Sequence, residues 1–150
     1  MIRIIVIMCC LCFSLKTDAQ VQQDTIQISE YCIVLSFPGE YIKKEYLYEE
    51  GIFYDYTIPQ ESSVITIHVG AMISLPLIDK NDIISCRIIE NILNDEIGTY
   101  VENGMVNYCR ELNILPYHLN ITYDKVSPLL KDKYNFIFDN IKIFKRQCNH

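Results

Sequence analysis

From Thr25 to Tyr123 the apolar residues arrive in runs of strand length, and turn signals close most of those runs. That pattern predicts a chain built from antiparallel strands. Thr25-Ile26-Gln27-Ile28 alternates, and Cys32-Ile33-Val34-Leu35-Ser36-Phe37 is β-rich and stops at Pro38-Gly39. Lys44 to Glu49 reads polar and aromatic by turns, Glu50-Gly51 interrupts it, and Ile52 to Ile58 resumes. Pro59-Gln60-Glu61-Ser62-Ser63 is a loop, and Val64 to Val69 is a further strand closed by Gly70. Connections this short predict a meander, because parallel strands need long crossovers.

The middle is ambiguous. Leu75-Pro76-Leu77 interrupts the pattern, and Ile83 to Leu93 fits either a strand or a helix, since Ile89 and Ile92 break the alternation of Ile84, Cys86 and Ile88. Gly98 to Val101 and Met105 to Leu112 flank Glu102-Asn103-Gly104. Asn-Gly is a strong hairpin signal, because both turn residues tolerate positive φ. Tyr117 to Tyr123 alternates and reads as the last strand. The period then changes. Leu130, Tyr134, Ile137, Phe138, Ile141 and Phe144 recur at helical spacing, which predicts one amphipathic helix of about 15 residues. Ser127 is the expected cap and Pro128 the first helical position. A helix of this kind must bury its stripe, and the sheet is the available surface.

The N-terminus has a different logic. Arg3 precedes an apolar run from Ile4 to Leu15, and Lys16-Thr17-Asp18-Ala19-Gln20 turns polar. This is the layout of a secretory signal cut before Gln20. The run is too short to span a bilayer core, which takes about 20 apolar residues. A lipoprotein anchor needs a cysteine after a small residue, and Cys9, Cys10 and Cys12 do not fit that need. The expected organisation is a signal peptide over 1–19 and a single domain over 20–150, exported to the periplasm or beyond, with no stable membrane span after cleavage.

Without 1–19 the chain carries 11 Lys and Arg against 18 Asp and Glu, a net charge of −7. No basic cluster is present to track a phosphate backbone, so nucleic acid is a poor partner. An acidic field favours basic proteins or metal ions instead. Four cysteines remain beyond the signal: Cys32, Cys86, Cys109 and Cys148. An even number in an exported chain predicts disulfides, with three pairings open. Their spacings form neither a metal knuckle nor a Cys-x-x-Cys redox pair.

Tyrosine supplies the most suggestive cluster. Tyr41, Tyr46, Tyr48, Tyr54 and Tyr56 fall within sixteen residues. On a hairpin over Lys44 to Ile58, Tyr46, Tyr48, Tyr54 and Tyr56 can share one face, as a binding surface or as part of the core. Glu45, Glu49 and Asp55 would point the other way, and the acidic group Glu45, Glu49, Glu50 and Asp55 lacks the spacing of a calcium loop. His68, His118 and His150 show no ligand or triad spacing. Asn120-Ile121-Thr122 matches a glycan acceptor pattern. There is no Gly-rich phosphate loop and no cofactor signature.

Phe37-Pro38-Gly39, Tyr48-Glu49-Glu50-Gly51-Ile52-Phe53-Tyr54, His68-Val69-Gly70 and Tyr123-Asp124-Lys125-Val126 resemble stretches of small exported proteins of Bacteroidota. An opening strand, "FPG", a meander and a final strand plus helix are also similar to PsbP-like α+β domains. The second resemblance implies a binding or assembly role; neither implies a catalytic one. The expectation is therefore an α+β domain in which an antiparallel sheet of about six or seven strands is packed by a C-terminal helix. Its expected role is a non-enzymatic binding module for a protein or cell-envelope component. An inhibitor or immunity-type protein gripping a basic partner is the first alternative, and a hydrolase without a readable motif the second.

Overall fold

A computed structural model of the chain describes residues 20–28, 30–70, 82–89 and 92–145. Turn chemistry places the first strands. β1 (Val21–Ile28) and β2 (Tyr31–Pro38) form a hairpin, and β3 (Ile42–Tyr48) and β4 (Gly51–Thr57) form a second one closed by Glu49-Glu50. β5 (Val64–Gly70) continues this meander. β6 (Asp82–Ile89), β7 (Leu93–Glu102), β8 (Met105–Ile114) and β9 (Leu119–Val126) make another. The β7–β8 turn is Asn103-Gly104 with φ of 53° and 77°, as the dipeptide predicts. β9 pairs antiparallel with β5 and joins the two meanders into a seven-stranded sheet of order β3-β4-β5-β9-β8-β7-β6.

The ambiguous stretch from Ile83 to Leu93 is a strand that turns back. A register shift between Ile83 and Ser85, and a turn in which the Ile92 N–H donates to the Ile89 carbonyl, account for the broken alternation. The strand count is also higher than expected, because the C-terminal stripe divides. Helix α1 covers only Lys131–Asp139, and Lys142–Lys145 forms β10 against β2, making a three-stranded sheet β1-β2-β10. Ser127 and Pro128 form a turn before the helix, and Leu130 takes the cap position without a side-chain bond. Asn140 ends the helix: its N–H and its Nδ2 both donate to the Phe136 carbonyl. Ile141 fits helical and strand periods equally, which hides the change in sequence. In β10, Ile143 is half-buried while Phe144 is exposed.

The core lies between the two sheets and the helix. Ile26, Ile33, Leu35 and Phe37 of the small sheet meet Tyr54, Tyr56, Ile65, Ile67, Ile121 and Tyr123 of the large one. Tyr134, Ile137 and Phe138 bring in the buried face of α1. Burial of this kind contributes about 25 cal/mol per Å² of apolar surface. The covering layer stops short of the far edge: no β6 residue joins the core, and all eight are exposed. That edge creates the cleft described below. Among the described residues no helix is long and apolar enough to cross a membrane.

Candidate functional site

Register decides the fate of the tyrosine cluster. The two-residue turn sets Tyr46 opposite Phe53 and Glu45 opposite Tyr54. Opposed residues share a face, so Tyr46 and Tyr48 lie on the outer face of the large sheet while Tyr54 and Tyr56 lie on the inner one. The single four-tyrosine face does not form. Tyr46 and Tyr48 are 37 % and 57 % exposed, whereas Tyr54 and Tyr56 are 6 % and 0 % exposed. Tyr56 donates to Asp24 Oδ2 at 2.5 Å, and Lys43 pairs with the same oxygen at 2.7 Å. Desolvation acts to raise the Asp24 pKa, but the Lys43 and Tyr56 hydrogen bonds outweigh it and hold the carboxyl below its ordinary value.

The outer face carries a second group that the sequence did not single out. Tyr48 meets Phe53 edge-on, and Phe53 stacks on His68 at 4.2 Å between ring centroids. His68 is buried, with Nε2 3.3 Å from the Glu50 carbonyl oxygen. Room for the ring comes from facing glycines. A Cβ on Gly51 or Gly70 would strike the opposite backbone and the His68 ring, and Gly51 has a φ of +146°. Farther along this face Glu96 and Glu111 are directly opposed and buried, bonded to the amides of Asn94, Asn113 and Asn120. Asn120 is thus committed within a central strand and poorly placed as a glycan acceptor. His118 sits in a left-handed conformation after a 3₁₀ turn, Leu115–Tyr117.

The expected disulfides do not form among the described residues. Cys86 and Cys109 lie on strands separated by β7. Two strand spacings amount to about 9.5 Å, beyond the Cα separation a disulfide accepts. Cys32 belongs to the other sheet, and Cys148 lies outside the described residues. The Cys86 thiol is raised above its ordinary pKa, by desolvation first and then by Glu96, whose Oε1 is 3.9 Å from Sγ. This disfavours the reactive thiolate. Glu45, Glu49, Glu50 and Asp55 are dispersed over two faces and a turn, and among the described residues no group of three or more His, Cys, Asp or Glu is placed to hold a metal ion.

What the fold does bring together is a cleft on the inner face. It encloses about 410 Å³ between β6–β8 and the end of α1 with β10. Leu93, Leu112, Ile114, Phe138, Ile141 and Ile143 line it. At its polar end Arg110, only 5 % exposed, donates from Nε and Nη2 to the two oxygens of Asp95 at 2.9 and 3.0 Å. Nη2 also meets Asp139 Oδ1 at 2.9 Å, and Nη1 donates to Asn135 Oδ1 at 3.2 Å. Burial acts to lower the Arg110 pKa, and the Asp95 and Asp139 interactions reverse this, so the guanidinium stays charged. Arg87, on the open edge strand, reaches the same Asp95 Oδ2 at 3.3 Å. Periodicity could not announce this group, because Asp95 and Arg110 stand at inward positions where the pattern calls for apolar residues.

A second groove, about 360 Å³ and more open, runs along Ile28, Tyr31, Val69, Pro116, Tyr117 and His118. It lacks convergent charged groups, so the first cleft better fits a selective site. Comparison with protein-family models, curated proteins and solved structures finds no match to this chain.

Proposed function

We propose that the protein is an exported, non-enzymatic binding module of the periplasm or cell surface, and that it holds a ligand or partner segment in the cleft beneath β6–β8. The observation that carries this reading is the gap in the covering layer over half-buried Leu93 and Ile114, floored by buried Leu112 and closed at one end by buried Arg110 and Asp95. Small-molecule sites combine apolar side chains with a few fixed polar groups; here polar atoms supply the larger share of the exposed lining, and the cleft volume falls within the ordinary range. The polar end is held by two strands and the helix, so it is formed before any ligand arrives.

Native mass spectrometry of the protein recovered from its host's envelope tests this. A bound mass should accompany the native chain and be lost from Ile114→Trp, whose indole fills the cleft from a half-buried position. The melting temperature of that variant should fall by no more than a few degrees without ligand. A bound mass that persists in Ile114→Trp would remove the cleft from consideration.

One observation favours the inhibitor or immunity-type alternative. The β3–β4 hairpin tip, Leu47-Tyr48-Glu49-Glu50, is exposed throughout. An aromatic, acidic tip suits a basic recess on a partner protein. If this tip is the binding element, Tyr48→Ser will abolish a salt-sensitive partner contact at almost no cost in stability. Tyr54→Ser, on the buried face, will cost about 3 kcal/mol by opening a cavity. Partner binding that tolerates Tyr48→Ser would end this alternative.

A further inference from the structure

The polar end of the cleft points to the chemistry of its occupant; this step rests on the cleft reading above. Asp95 is buried and gives both oxygens to Arg110. Asp139 is different. It is 59 % exposed and makes one contact to Arg110. It is also the last residue of α1, where the negative end of the helix dipole disfavours a carboxylate. Arg110 therefore has one committed carboxylate and one that can rotate into water. Arg87 is 65 % exposed at the same rim, and its Nη2 and the Arg110 Nη2 contact the same Asp95 oxygen. Once Asp139 turns away, two guanidinium groups face a single aspartate, and Arg110 is left with an open donor at the rim.

We propose that the cleft binds an aliphatic carboxylate whose head group takes the place of Asp139 on Arg110. The incoming carboxylate meets Arg110 Nη2 where Asp139 Oδ1 now stands, within reach of Arg87, in the planar recognition that guanidinium groups provide. The aliphatic body lies along Leu112, Ile114, Ile141 and Ile143. Asp139 is an internal stand-in that keeps the buried arginine paired when the cleft is empty.

Calorimetric titration of the whole protein with decanoate, decan-1-ol and decylammonium tests this. Decanoate should bind and the other two should not. Asp139→Asn should tighten decanoate about threefold, the scale of a partly exposed ion pair, and Arg87→Gln should weaken it about as much. Both positions are exposed, so neither variant threatens the fold. Equal binding of decan-1-ol and decanoate, both blocked by Ile114→Trp, would discard the carboxylate head and keep the cleft. Preference for decylammonium, weakened by Asp139→Asn, would reverse the charge assignment. Absence of binding by all three probes would overturn the proposed ligand class, leaving the bound-mass experiment to decide on the cleft itself.

Discussion

Asp95→Ala will cost the protein about 3–5 kcal/mol, the usual penalty for breaking one side of a buried ion pair. The side chains of Asp95 and Arg110 are only 7 % and 5 % exposed, and both Asp95 oxygens are engaged. Removing the carboxylate leaves a desolvated guanidinium with Asn135 and the largely exposed Asp139 as partners. Equilibrium urea unfolding at neutral pH measures the loss, which corresponds to a fall in melting temperature of about 10 °C or more for a domain of this size. The double replacement Asp95→Leu with Arg110→Met should recover most of it, since an apolar pair of similar volume removes the uncompensated charge. A single variant within 1 kcal/mol of the parent would show that water or Asp139 satisfies Arg110 fully. It would also remove the reason to regard the polar end as pre-formed.

Much of the fold is legible in the sequence, because strand periodicity and turn chemistry act locally. Gly39, Asn103-Gly104 and Gly51 mark turns or close approaches that the backbone confirms with positive φ. Two features were not legible, for different reasons. The stripe from Leu130 to Phe144 satisfies helical spacing throughout, and only the pairing of Lys142–Lys145 with Tyr31–Val34 shows that its end is a strand. A helix–strand junction costs nothing in periodicity when Ile141 serves both. The face assignment of the tyrosines depends on a turn of two residues, and a change of one residue in register exchanges the faces of a whole strand.

The candidate site was harder to read than the fold. Its residues come from β6, β7, β8, α1 and β10, which are distant in sequence and converge only through the β5–β9 pairing and the return of β10 to β2. Asp95 and Arg110 look like ordinary charged residues in a sequence rich in them, and inward orientation gives them their significance. The cysteine reading followed compartment rather than geometry. Strand order separates Cys86 from Cys109 in a way that counting cannot detect.

The same inward placement of polar groups leads to the second large effect, in alkali. Tyr56, Tyr123 and Tyr134 are almost wholly inaccessible, and burial is the first cause that raises each hydroxyl above its ordinary pKa. The Asp24 hydrogen bond raises Tyr56 further. Arg110 partly opposes the rise at Tyr123 without reversing it. Tyr134, whose hydroxyl donates to the Ser63 carbonyl at 2.9 Å, is pushed up to about 12. An acid with a raised native pKa binds more protons folded than unfolded above pH 10. Its contribution is therefore complete below the unfolded value and is lost as pH rises toward the folded one. Each such tyrosine removes about 1.4 kcal/mol per pH unit, and three together remove about 4. Against a typical stability of about 5–15 kcal/mol, the fold should fail cooperatively between about pH 11 and pH 12. Tyrosinate absorbance of the buried tyrosines and far-UV circular dichroism should change together there. Tyr134→Phe should reduce the slope of stability against pH, while costing about 1 kcal/mol at neutral pH through the lost hydrogen bond. Ionisation of Tyr56, Tyr123 and Tyr134 near pH 10 with the circular dichroism unchanged would mean that these hydroxyls reach water, and that the packing of Tyr123 against Tyr134 and Phe138 is looser than the ring contacts indicate.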